Sequence, residues 1–164
     1  MTATEQLMLR PYQPGDRDVL DEIDTEFQHE AGFGTGDPDL PMFPHPDMDD
    51  IEGVYTNAGG AFWVLEAPDG EIAGYGAVLR IDEGAARLRR FRVRASWRRR
   101  GLATRLLMEA ERFCRERGYT RVTLGTSDRQ HAAQALYRKN GYVETGRHNV
   151  RPDLIEIEFE KVLS

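Results

Sequence analysis

Val93-Arg94-Ala95-Ser96-Trp97-Arg98-Arg99-Arg100-Gly101-Leu102-Ala103-Thr104 is the stretch on which the reading of this chain turns. A β-like run ends at Val93, and a helix begins near Gly101. That helix carries Leu106, Leu107, Ala110, Phe113 and Cys114 on one apolar face as far as Arg117, and Gly118 supplies its stop. Between strand and helix lies an Arg-x-x-Gly-x-Ala segment. Gly101 lets the backbone approach a ligand with no Cβ in the way, and the small Ala103 keeps the first helical turn uncrowded. The N–H groups of that turn have no partner inside the helix, and the helix dipole favours negative charge there by roughly 0.3–1 kcal/mol. The segment therefore predicts an anion site, with phosphate as the fitting guest.

Further along, after a second strand-like run, comes Gln130-His131-Ala132-Ala133-Gln134-Ala135-Leu136-Tyr137-Arg138-Lys139-Asn140-Gly141-Tyr142. Together the two segments resemble the GCN5-related N-acetyltransferase (GNAT) superfamily. Its pyrophosphate loop reads Gln/Arg-x-x-Gly-x-Gly/Ala and its later helix carries Asn-x-x-Ala-x-x-Leu-Tyr. Two positions depart from the pattern. Gln130 stands where the family usually has Asn, and Arg87 occupies the strand position where many members carry a glutamate that helps deprotonate the substrate.

The resemblance implies a function and a site. The protein is expected to be an N-acetyltransferase that moves the acetyl group of acetyl-CoA to a primary amine by direct attack on the thioester. The rival it leaves is an acyl-CoA-binding module without turnover. The diphosphate is expected over the backbone of Arg98, Arg99, Gly101, Leu102, Ala103 and Thr104, with the side chains of Arg98, Arg99 and Arg100 supplying charge. Gln130 and Ala133 extend the cofactor site, and Phe91 and Val93 are expected to pair their backbone with the pantetheine amides as an added strand would. Tyr137 matches the family tyrosine that protonates the departing thiolate, a role suited to a phenol with an ordinary pKa near ~10. By the same analogy the Val93 N–H stabilises the oxyanion. No carboxylate lies between residues 87 and 94, so the general base stays open among Asp82, Glu83, Asp128, His131 and water. The family also contains many homodimers, so a homodimer is among the assemblies expected.

The remaining elements follow from local patterns. Leu7 to Pro11 reads as an opening strand, and Val19, Leu20, Ile23 and Phe27 as a helix with Asp16 as its cap. Residues 30–50 are a Gly- and Pro-rich loop, with a short helix starting near Asp47. Ala61 to Glu66 and Ile72 to Leu79 flank Pro68-Asp69-Gly70 as a hairpin. Leu88, Phe91 and Val93 are the apolar positions of the next strand, set between arginines expected to face solvent or ligand. Val122 to Leu124 forms a strand, Ala132 to Lys139 a helix ended by Gly141, and Leu154 to Phe159 an alternating last strand. This order predicts one α+β domain over residues 1–164, a three-layer sandwich with a central, mostly antiparallel sheet flanked by helices. The resemblance adds that the strands ending near Val93 and Gly125 splay apart.

Charge is divided along the chain. Residues 1–86 hold 3 Lys/Arg and 19 Asp/Glu, whereas residues 87–164 hold 19 and 9, which suggests two charged faces with different partners. Six carboxylates, Asp37, Asp39, Asp47, Asp49, Asp50 and Glu52, stand between 37 and 52 with no Lys or Arg, so the acceptor amine is expected to be cationic if that loop faces it, with Trp63 and Tyr75 nearby. Eight arginines at 87, 89, 90, 92, 94, 98, 99 and 100 have only Phe91 and Trp97 as stacking partners, and the net charge of −6 repels polyanions, so no nucleic-acid partner is expected. No Gly-x-x-x-x-Gly-Lys-Ser/Thr motif is present. The lone Cys114 excludes an internal disulfide, and His29 and His45 show no ligand spacing, so no metal is expected. No apolar run reaches membrane-span length and Met1 to Arg10 does not read as a signal peptide, so a cytoplasmic protein with no membrane partner is expected.

Overall fold

The computed structural model describes residues 2, 4 and 6–164. The chain runs β1 (Met8–Pro11), α1 (Arg17–Glu30), α2 (Ile51–Val54), β2 (Ala61–Glu66), β3 (Ile72–Arg80), β4 (Ala85–Val93), α3 (Leu102–Arg117), β5 (Arg121–Ser127), α4 (His131–Lys139), β6 (Val143–Arg151) and β7 (Leu154–Val162). The strands form one sheet in the order β1-β2-β3-β4-β5-β7-β6. Every pairing is antiparallel except that of β4 with β5. This is the expected α+β sandwich.

Strand periodicity explains the three layers. Successive side chains of β2 point to opposite faces. Phe62 and Val64 join Leu20, Ile23, Met48, Ile51 and Tyr55 beneath α1 and α2. Trp63 and Leu65 turn the other way, toward the cores under α3. Burial on both faces accounts for the near-continuous apolar runs of β2 and β3. Trp63 and Tyr75, expected near a substrate, are core residues instead, 8% and 0% exposed. The β2–β3 turn is built as its residues predict: Gly70 has φ +91°, and Asp69 Oδ1 accepts from the Glu71 N–H.

Two local expectations are corrected. Asp16 does not cap α1 with its side chain. Its carboxylate instead accepts from the Gln13 N–H and binds the Arg10 guanidinium, fixing β1 to the turn that follows. Residues 143–151, to which the sequence pattern assigned no element, form the edge strand β6. Nearly all of it is exposed, so it has no apolar alternation to display, and its register comes from backbone pairing with β7.

The feature that matters for function is a split in the sheet. β4 and β5 pair only from Ala85–Arg121 to Arg87–Thr123 and then part, leaving the edge of β4 from Leu88 to Val93 without a strand beside it. A bulge lies just past the split. Tyr75 pairs with Arg92 and Ala77 with Arg89, so Arg90 and Phe91 together face Gly76, and Arg90 has φ +60°. Such a bulge bends and twists its strand, here away from β5.

A cleft through the split sheet

The split opens two hollows, one on each face. On the α3–α4 side a cleft of about 870 Å³ runs from the start of α3 to Tyr137. On the α1 side a hollow of about 410 Å³ is lined by Arg87, Arg89, Arg90, Arg92, Gly125 and Glu156, with Phe33 and Phe43 as an aromatic wall. Phe27, Ala31 and Gln130 line both, so the two hollows meet at the split.

The larger cleft gathers nearly every site residue read from the sequence. Phe91, Val93, Arg98, Arg99, Gly101, Leu102, Ala103, Thr104, Gln130, Ala133 and Tyr137 all line it. Arg100 does not, because its guanidinium lies 4.7 Å above the Trp97 ring, while the Trp97 Nε1–H donates to Glu71. The loop before α3 curls because Arg99 and Gly101 both have left-handed backbone, φ +62° and +75°. The first intrahelical donor is the Arg105 N–H, bonded to the Gly101 carbonyl, so the N–H groups of Leu102, Ala103 and Thr104 remain at the cleft for an anion. The Arg98 N–H, expected as a further donor, instead closes a turn onto the Ala95 carbonyl at 3.3 Å, and its side chain pairs with Glu30. Arg99 has no acidic partner among the described residues.

Tyr137 is 8% exposed, and its ring packs edge-on against Tyr142 with centroids 5.7 Å apart. Its hydroxyl has no hydrogen-bond partner among the described residues. Since no fully buried polar atom there lacks a partner, that hydroxyl must open onto the cleft. Burial pushes its pKa up to about 12, so the phenol holds its proton firmly at neutral pH. Gln130 shapes the corner between β5 and α4. Its Oε1 accepts from Thr126 Oγ1 at 2.8 Å and from the Ser127 N–H at 3.3 Å.

The candidate bases separate clearly. His131 lines the cleft. Asp82 accepts from the Gly84 N–H in the β3–β4 turn, beside Glu83 and at the far end of β4. Asp128 accepts from the Ile155 N–H and lines neither hollow. A carboxylate that sequence reasoning missed does line the α1-side hollow: Glu156, on β7. Its signal was the alternation Glu156, Glu158, Glu160, which reads equally well as a solvated strand face.

Three β4 arginines, and Arg94 just past the strand's end, are held by carboxylates rather than left to solvent or ligand. Arg90 binds Asp47, which also accepts from the Tyr55 hydroxyl at 2.6 Å. Arg92 reaches Asp24 at 3.4 Å and lies 3.8 Å over the Phe27 ring, and Arg94 binds Glu22 and Glu26. Arg87 donates to Glu158 at 2.9 and 3.0 Å and to Glu156 at 3.2 Å. The acidic and basic halves thus interlock rather than form two separate faces. Asp47, Asp49 and Asp50 are engaged by Arg90, Arg17 and the start of α2, and no carboxylate of residues 37–52 lines either hollow. That loop gives no ground for a cationic acceptor. His148, Glu156 and Glu158 bring ligand-type atoms within 4.8 Å of one another, a grouping the sequence did not show. The Arg87 guanidinium bridges the two carboxylates and takes the place of a cation there. No helix among the described residues is long and apolar enough to cross a membrane.

Comparison with known proteins agrees with this fold. A family model described as acetyltransferase (GNAT) family matches residues 18–142. N-acetyltransferase family 8 member 2 of Rattus norvegicus is 38% identical over 109 residues, which cover 63% of this chain and 48% of that protein. The chain spans about half the length of the curated relatives it matches. Among solved structures, an acetyltransferase from Streptococcus agalactiae 2603 superposes with a TM-score of 0.82 at 23% identity, covering 97% of this chain and 99% of that one. The Salmonella typhimurium protein yncA, solved with its cofactor acetyl-CoA, superposes with a TM-score of 0.75 at 16% identity over 97% of this chain and 95% of its own. Likeness at these identities is likeness of fold.

Proposed function

This chain belongs to the acetyltransferase (GNAT) family, and we propose that residues 1–164 act as one domain that transfers the acetyl group of acetyl-CoA to a primary amine. The observation that carries the reading is the split between β4 and β5. It joins an anion-ready helix start, an unpaired strand edge and an unpartnered tyrosine hydroxyl in one cleft, open on both faces of the sheet.

The residues present fit acetyl-CoA. The N–H groups of Leu102, Ala103 and Thr104 and the unpaired Arg99 suit a diphosphate, and the edge of β4 at Phe91 and Val93 suits the amides of a pantetheine arm. Bound there, acetyl-CoA supplies an activated thioester. The amine reaches the split from the α1-side hollow and attacks the carbonyl carbon. The Val93 N–H steadies the oxyanion. Tyr137, kept protonated by burial, donates to the leaving sulfur. A hydroxyl held free at this point supports turnover rather than mere retention of the acyl-CoA.

The test is calorimetric titration with acetyl-CoA, using dephospho-CoA and ATP as controls. Saturable micromolar binding that Gly101→Pro removes is the expected result, because proline cannot adopt φ +75°. An absence of binding to the intact protein would overturn the reading.

A further inference from the structure

A primary alkylamine arrives at neutral pH carrying a proton, since its pKa lies near ~10. That proton must leave before the nitrogen can attack, and β4 offers no carboxylate to take it. One comes instead from across the split. Thr123, Gly125 and Ser127 point to the α1 face of β5, and Glu156 and Glu158 to the same face of β7. A Cβ on Gly125 would stand 1.9 Å from Glu156 Oε1 and 2.8 Å from an Arg87 guanidinium nitrogen. The missing side chain therefore lets Glu156 lean over β5 toward β4, level with the last paired rung at Arg87 and Thr123. Its carboxylate lies at the crotch of the split, on the wall of the hollow from which the amine enters.

Resting on the acetyltransferase reading, we propose that Glu156 accepts the proton of the incoming amine. Three charged neighbours act on it, Glu158, Arg87 and His148. Arg87 on β4 touches Oε1 but is shared with Glu158, which takes two of its hydrogen bonds. His148 on β6 stands 4.0 Å from Oε2 and is half exposed. Arg89, Arg90 and Arg92 line the same hollow, though Arg90 is held by Asp47 and Arg92 by Asp24. Burial, reinforced by Glu158, pushes the Glu156 carboxyl above its ordinary value, which suits a group that must hold a proton briefly. The step balances. The ammonium loses one proton to Glu156, and the neutral amine forms the C–N bond. The C–S bond breaks as the tetrahedral adduct collapses, and the nitrogen's second proton goes to the thiolate by way of Tyr137.

The test follows thiol release from acetyl-CoA with two primary amines, 2-phenylethylamine, protonated at pH 7, and aniline, neutral there. Glu156→Gln is expected to lower kcat about 100-fold for the alkylamine at pH 7 while leaving acetyl-CoA affinity unchanged. The deficit should shrink as pH rises toward the amine's own pKa, should be only a few-fold for aniline, and should be partly recovered in Glu156→Asp. Equal losses for both amines at every pH, or no loss, would overturn this role while the acetyltransferase reading stands. A wild-type protein that binds acetyl-CoA yet acetylates neither amine would overturn both.

Discussion

Replacing Asp47 with asparagine isolates the ion pair that locks the β4 bulge to the loop before α2. Asp47 is 8% exposed, binds Arg90 through two guanidinium nitrogens and accepts from the Tyr55 hydroxyl. Burial on its own would raise the carboxyl pKa, but Arg90 and Tyr55 together outweigh it and hold the pKa at about 2, against an ordinary 3.8. Each pKa unit between folded and unfolded states is worth ~1.36 kcal/mol, so the carboxylate contributes about 2.5 kcal/mol at pH 7. Because the folded-state pKa is depressed, this contribution is present above pH 3.8 and lost as pH falls through about 2. About half of it, near ~1.3 kcal/mol, should remain at pH 3. Urea denaturation of wild type and Asp47→Asn at pH 7, 4 and 3 reads this directly. We expect a gap of about 2.5 kcal/mol at pH 7, equal to a drop of roughly 5–10 °C in Tm for a chain of this size, narrowing by about 1 kcal/mol at pH 3. A gap that does not change with pH would refute the electrostatic account, and no gap at all would mean that Arg90 finds another partner.

Three further outcomes are expected. Tyr137→Phe should bind acetyl-CoA as wild type does but turn over at least tenfold more slowly, a loss confined to kcat because the phenol acts on the leaving sulfur; steady-state kinetics with equal kcat would remove the hydroxyl from the chemistry. Gly125→Ala should change stability by less than about 1 kcal/mol, because the crowded atoms are the movable ends of Glu156 and Arg87, yet should lower turnover by displacing that carboxylate. Thermal melts and thiol-release rates on the same sample separate the two effects. Cys114 is fully buried and its thiol is pushed up to about 12 by burial, so a disulfide reagent should label it only as fast as the protein unfolds. Rapid labelling of the native protein would contradict the packing of α3.

What the sequence made legible was whatever rests on local pattern. The start of α3, the Gly118 stop with φ +82°, the Gly70 turn and the apolar faces of β2 and β3 follow from neighbouring residues, and the site residues on those elements fell into one cleft. What stayed hidden depends on partners distant in sequence. An arginine on a strand looks the same whether it meets water or a buried aspartate 43 residues away, as Arg90 does. β6 has no burial pattern because only its backbone is engaged. Glu156 could not be placed at the split without knowing that β7 inserts between β5 and β6, and that Gly125 opens the path toward β4.

The interlocking of the two halves has a consequence for how the chain comes off the ribosome. Arg92 meets Asp24, Arg94 meets Glu26 and Arg98 meets Glu30, each pair separated by 68 residues. The carboxylates of α1 therefore emerge long before the guanidinium groups that neutralise them. Within a nascent chain, residues 1–86 hold 19 acids against 3 bases and repel one another. The ion pairs that fix α1 can form only once β4 and the loop after it have been made, so the strand that borders the cleft also supplies the charges that neutralise the amino-terminal half of the protein.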